Sequence, residues 1–198
     1  MSFEVLTALS IFAFVSSITP GPNNIMLMNS GANFGFKMSI PHMLGVSLGF
    51  CLMIILVGLG IVQLLNLYPL SYNIIRFFSI AYLLYLAFKM ATSDAGIKSG
   101  KGKSKPMTFI QAALFQWVNP KALSMALTAI TVYTPTQSIE MTLIVAAVYV
   151  VINLPSVSLW VVMGREMKRF LTSPIRMRTF NITMTILLVA SLYPVLFP

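Results

Sequence analysis

The sequence predicts an all-α membrane protein of six transmembrane helices, built as two inverted three-helix repeats with helices one and four broken. Three observations lead there. The 198-residue chain is 58% hydrophobic and only 9% charged, with mean hydropathy +0.88. A soluble domain carries roughly a quarter charged residues, so most of this surface faces lipid. Six apolar stretches, at 5–28, 43–65, 69–91, 108–132, 140–163 and 178–197, approach the ~20 residues a helix needs to span a bilayer. A glycine- and lysine-rich stretch from Ser93 to Lys105 parts them three from three.

The first stretch contains Thr19-Pro20-Gly21-Pro22-Asn23-Asn24 between Ile11–Val15 and Ile25–Met28. Each proline removes a backbone donor and clashes with the preceding turn, so the helix breaks there. A break at membrane depth is tolerated only where it is buried in protein or lines a cavity. The second stretch carries His42 at its cytoplasmic mouth, where an interfacial role is expected. Its Gly45 and Gly49 form a small-xxx-small pair, and Gly58 and Gly60 follow, suited to close helix packing. In the third, Arg76 is near enough to the outer end to snorkel, and Tyr82 and Tyr85 suit either a pore lining or packing. The fourth breaks at Gln116-Trp117-Val118-Asn119-Pro120-Lys121, and the fifth holds Asn153 and Pro155, a third kink serving packing or a pathway. Connections near 29–42, 92–107 and 164–177 are longer and polar, whereas those near 66–68 and 133–139 are short turns. The start, Met1-Ser2-Phe3-Glu4, lacks the basic residues of a signal peptide, so the first span is expected to be retained.

Charge placement orients these spans. Of thirteen Lys and Arg, eleven lie in or beside the first, third and fifth connections: Lys37; Lys89, Lys98, Lys101, Lys103 and Lys105; Arg165, Lys168, Arg169, Arg176 and Arg178. The positive-inside rule puts those connections in the cytoplasm and both termini outside, with anionic lipid as a contact of the basic loops. The net charge of +9 is therefore a topology signal, and nucleic acid is not an expected partner. Three spans per half invert the second half relative to the first. The expected organisation is a repeat at 1–92, a cytoplasmic linker at 93–107 and a second repeat at 108–198. Ile18-Thr19-Pro20 and Val118-Asn119-Pro120 are matching breaks, the pattern that marks a binding site at a repeat interface.

Lys121 carries the strongest chemical signal. Roughly a dozen residues, about 18 Å at helical rise, separate it from either end of its span, too far for the stem to snorkel. A mid-membrane lysine costs at least ~2.5–3.5 kcal/mol on insertion scales and usually marks a pathway or counter-ion. The four acids, Glu4, Asp94, Glu140 and Glu166, all fall at span ends or in loops. Either Lys121 is neutral much of the time, because burial disfavours the charged form, or its anion is a substrate carboxylate. Asn23 and Asn24 open a helical half after Pro22, whose free N–H groups favour an anion. Carbonyls freed by Pro20, Pro22 and Pro120 accept from an ammonium, and Thr19, Gln116 and Asn119 add neutral polar groups. The set suits a zwitterion. Thr19, Pro20, Gly21, Pro22, Asn23, Asn24, Gln116, Asn119, Pro120 and Lys121 are the candidate substrate-binding residues, with Lys121 the candidate for proton coupling. The competing reading is that these kinks only help spans pack. One histidine and one cysteine, Cys51, allow no metal cluster; no phosphate loop or cofactor motif is present, and an enzyme is not expected.

Several motifs resemble the LysE/RhtB family of amino-acid exporters. Thr19-Pro20-Gly21-Pro22-Asn23 is followed by Gly35-Phe36, Gly45 and Ser47-Leu48-Gly49-Phe50. Ala81-Tyr82-Leu83, Tyr85-Leu86-Ala87-Phe88-Lys89 and Phe115…Asn119-Pro120-Lys121 continue the series. Thr19–Asn24, Ser47–Phe50 and Lys89-Met90-Ala91-Thr92-Ser93 are most similar to the cysteine/O-acetylserine exporter branch. The resemblance implies a bacterial inner-membrane exporter of small amino acids or derivatives, cysteine- or O-acetylserine-like, with homoserine and threonine as further candidates. It also implies proton antiport. A passive small-solute channel and a non-transporting membrane scaffold are the alternatives.

Overall fold

The computed structural model describes residues 1–61, 70–92, 105–134, 138–191 and 193. Among them the chain forms eight α-helices and no strand: α1 Phe3–Ile18, α2 Pro22–Phe34, α3 Phe36–Gly58, α4 Leu70–Ala91, α5 Phe109–Phe115, α6 Pro120–Tyr133, α7 Ile139–Met167 and α8 Pro174–Ala190, with a 3-10 turn, Gln116–Val118, between α5 and α6. Eight helices replace six expected spans because spans one and four each break at their Pro motif. The order of broken pair, long helix and further helix occurs twice. By length and composition α3 and α7 can each cross a membrane, and α1 with α2, bent by 55° at their break, makes a third candidate span. The apolar parts of span three and of α5 with its 3-10 turn, 77–91 and 109–118, are shorter. The turn at 66–68, linker residues 93–104 and positions 135–137 fall outside the described residues, as does the side chain of Arg76.

The first connection corrects the sequence reading. In place of a polar loop over 29–42, α2 runs to Phe34 and α3 starts at Phe36, leaving Gly35 as the whole turn. Its φ of +81° is one that side-chain-bearing residues adopt only with strain. The polar residues there do not end the helices because they bond each other between them. Asn29 and Asn33 both donate to Asn181 Oδ1 of α8, at 2.8 and 3.0 Å. Ser30 and Ser39 hydroxyls meet at 2.7 Å, and Ser39 also donates to Gly35 O. His42 is buried among the helices, with 1% of its surface exposed.

α7 packs against α1, α2 and α3, and glycines set the closest approaches. A Cβ on Gly31 would run into the Val161 carbonyl, and one on Gly164 into the Met28 carbonyl, so α2 and α7 touch backbone to backbone. Gly45 and Gly49 do the same for α3 against α5, at Ala112 and Ala113. The packing role expected of that pair is what the structure uses. Tyr82 stacks on Tyr85 and packs against Phe115, at ring separations of 6.0 and 5.8 Å. Outward, Ile11, Phe14, Phe77, Phe88, Ile110 and Val151 are exposed. So much apolar surface on several helices suits a lipid solvent.

Candidate functional site

A broken helix leaves carbonyls without intrahelical partners, and the end of α1 shows where they go. Ser16 O accepts from Thr19 Oγ1, and Ser17 O from Asn24 Nδ2 at 2.8 Å. Ile18 O accepts from the Trp160 indole at 3.1 Å. Thr19 O accepts from Asn24 Nδ2 at 2.8 Å and from Lys121 Nζ at 2.7 Å. The same ammonium donates to Thr19 Oγ1 at 2.8 Å and Pro20 O at 3.3 Å. Side chains from α2, α6 and α7 therefore satisfy the break, which meets the requirement for irregular backbone inside a membrane.

Lys121 stands at the break expected in the fourth stretch, in the first turn of the helix that follows it. α6 begins at Pro120, capped by Asn119, whose side chain accepts from Lys121 N. A cation in the first turn sits at the unfavourable end of the helix dipole. The stem compensates by crossing to the carbonyl end of α1, where the dipole is favourable. It passes Gly21 so closely that a Cβ there would lie 2.7 Å from Lys121 Cδ.

Around this ammonium lies a cavity with about 350 Å³ of empty space, partly open to the outside. Gly21, Asn23, Asn24, Gln116, Asn119 and Lys121, from the ten candidate residues, line it. Thr19 and Pro20 instead hold Lys121 through their oxygens, and Pro22 and Pro120 occupy the first-turn positions that start α2 and α6. Asn23 and Gln116 exchange amide bonds across the two breaks, 2.8 Å in one direction and 3.4 Å in the other. Gln116 is fully buried and also donates to Ala112 O. The N-terminus of α2 has no side-chain cap. Two half-helices, one from each half of the chain, thus begin at one cavity with their positive ends toward it. Ion pairs among the described residues are confined to Glu166 with Arg165 and Arg169 at the end of α7.

The structure adds residues that the sequence left open or missed. Asn153 lines the cavity; it donates to Ser17 Oγ at 3.1 Å, while its buried Oδ1 has no partner among the described residues. Ser16 and Ser17 also line it, and Ser16 Oγ lies 3.3 Å from the Tyr149 hydroxyl. A polar residue close to a helix-interior proline was the available signal for Asn153. Trp160 carried none, since an indole in an apolar helix reads as lipid contact.

Half-helices meeting at a polar cavity inside an apolar helix bundle are a feature of solute-translocating membrane proteins. The chain belongs to the LysE type translocator family, which it matches over residues 14–191. It is 28% identical to the cysteine/O-acetylserine efflux proteins of Escherichia coli (strain K12) and Shigella sonnei (strain Ss046), over 96% of this chain and of each of those proteins. No solved structure matches.

Proposed function

We propose that the protein is an inner-membrane secondary transporter that exports small amino acids or derivatives of the cysteine/O-acetylserine class by proton antiport. The observation that carries this reading is an ammonium held among helix ends with no carboxylate among the described residues that line the cavity. A substrate carboxylate is the missing anion: Lys121 and the uncapped N–H groups of Asn23 and Asn24 bind it. As Lys121 turns toward the carboxylate it frees Thr19 O and Pro20 O for the substrate ammonium, with Asn153 Oδ1 a further acceptor. A zwitterion satisfies both ends at once, which neither a simple cation nor an anion does.

Lys121 is also the proton-coupling group, since no Asp, Glu or other Lys shares the cavity. Residues 1–92 and 108–198 act as inverted halves in alternating access, joined by a cytoplasmic linker at 93–107, with both termini outside. The recurring order of broken pair and long helix supports this, and the relatives' names support the substrate class. Homoserine and threonine are further candidates on size and charge.

Counterflow in proteoliposomes tests the reading. Vesicles are preloaded separately with cysteine, O-acetylserine, homoserine, threonine, leucine, lysine or arginine, and labelled substrate is supplied outside. Transient accumulation with cysteine or O-acetylserine is expected, together with a response to an imposed proton gradient. Equilibration without overshoot for many solutes would make the protein a channel. Absence of flux from folded protein would leave a scaffold.

A further inference from the structure

A second cavity, with about 480 Å³ of empty space, lies between the C-terminal half of α2, the start of α3, the end of α4 and residues 105–107. Its wall combines Asn29, Ser30 and His42 with Lys89 and Lys105, on an apolar floor that includes Met26 and Met90. Neither ring nitrogen of His42 has a hydrogen-bond partner among the described residues, although the side chain is buried. Buried polar atoms are rarely left so, and this ring borders a cavity. Among the described lining residues two are lysines and none carries a carboxylate. The wall thus offers positive charge and hydrogen-bond donors without a charged acceptor.

We propose that this cavity is a second binding site, selective for small carboxylate-bearing solutes, which serves as the cytoplasmic vestibule of the central cavity. As a vestibule it rests on the export reading; as an anion site it does not. Placement supports both parts. His42 and Val46, which lines the central cavity, are four residues apart on α3, about 6 Å of helical rise. Along α2, Asn23 faces the central cavity and Ser30 the second, seven residues or about 10 Å on. The two cavities therefore flank the same stretches of α2 and α3, about 10 Å apart along α2.

His42 is the only histidine in the sequence, so the site has its own reporter. Protein labelled with ring-13C histidine, purified on a histidine-free tag into phosphatidylcholine nanodiscs, is titrated at constant pH and ionic strength. The probes are acetate, O-acetylserine and ethylamine. Saturable displacement of the His42 resonance is expected with acetate and O-acetylserine but not with ethylamine. Lys89→Gln with Lys105→Gln should raise half-saturation about tenfold or more, the scale of lost charge-assisted hydrogen bonds. Lys121→Met should leave it within about twofold, a factor well below one such bond. Overturning results are no displacement by either carboxylate, equal displacement by ethylamine, indifference to the double lysine variant, or loss in Lys121→Met. Counterflow on the same preparation separates the readings. Intact counterflow with an immobile resonance removes the vestibule and leaves transport. Displacement by acetate without counterflow leaves an anion site and removes transport.

Discussion

Replacing Lys121 with Met tests the central site most directly, because binding and stability should move differently. The ammonium makes three bonds, to Thr19 O, Thr19 Oγ1 and Pro20 O. Methionine keeps an unbranched stem of similar length and removes the charge. Fold stability should not fall. Asn24 still donates to Thr19 O, Thr19 and Pro20 are exposed, and the substitution removes a membrane-embedded ammonium that costs ~2.5–3.5 kcal/mol on insertion scales. Substrate affinity should fall, because one charge-assisted hydrogen bond contributes about 1.5–3 kcal/mol, or about 10- to 150-fold in half-saturation. The assay is counterflow with O-acetylserine or cysteine over a range of concentrations, paired with thermal unfolding in the same detergent. The variant should also lose its response to a proton gradient. Half-saturation within twofold of the parent, with normal pH-coupled export, would refute the assignment. So would a large fall in melting temperature, which would make Lys121 a structural residue.

Three further substitutions probe the scaffold. Gly164→Ala drives a methyl into the Met28 carbonyl; overpacking of this kind costs about 1–3 kcal/mol, read as a lower melting temperature, and Gly45→Ala should behave alike at α5. Trp160→Phe deprives Ile18 O of its donor and should cost about 1 kcal/mol in the same assay, with an unchanged melt arguing that the indole bond does not hold the break. A double-mutant cycle of Asn23→Ala and Gln116→Ala should show a coupling of about 0.5–1.5 kcal/mol; strict additivity in unfolding would mean that the amide pair does not tie the two broken segments together.

Much of the lining of the candidate cavity was legible because proline chemistry is local. Pro20-Gly21-Pro22 and Asn119-Pro120 combine proline with glycine or a capping side chain and break their helices, whereas the lone Pro41 and Pro155 lie inside continuous ones, and an unaccompanied lysine in an apolar run is visible in one dimension. What the sequence could not disclose depends on helices meeting. Asn29, Ser30 and Asn33 read as a polar connection, since partners such as Asn181 are over 140 positions away. In the structure they are helical residues whose amides and hydroxyls face their own kind across α2, α3 and α8. The burial of His42 was hidden for the same reason, since it depends on which helices cover it. Small residues were read correctly because a missing side chain has few uses inside a helix, whereas Asn153 could pack or line and needed its neighbours to decide.

The geometry of the break also explains why lysine, rather than an acid, suits this position. The oxygens nearest position 121 belong to the carbonyl end of α1, where partial negative charge collects. A carboxylate there would face Thr19 O and Pro20 O with repulsion, and no cation among the cavity lining would relieve it. An ammonium is held by those oxygens, and on the proposed reading it is released toward the starts of α2 and α6 when an anion arrives. One side chain thus has two sets of partners within reach of a single stem. Passage between them is then a competition between the α1 carbonyls and a mobile carboxylate. On the proposed reading, that competition couples occupancy to the break between α1 and α2. Thr19 O keeps Asn24 as donor when Lys121 leaves, but Pro20 O keeps none among the described residues, so the substrate ammonium has a specific place to bind.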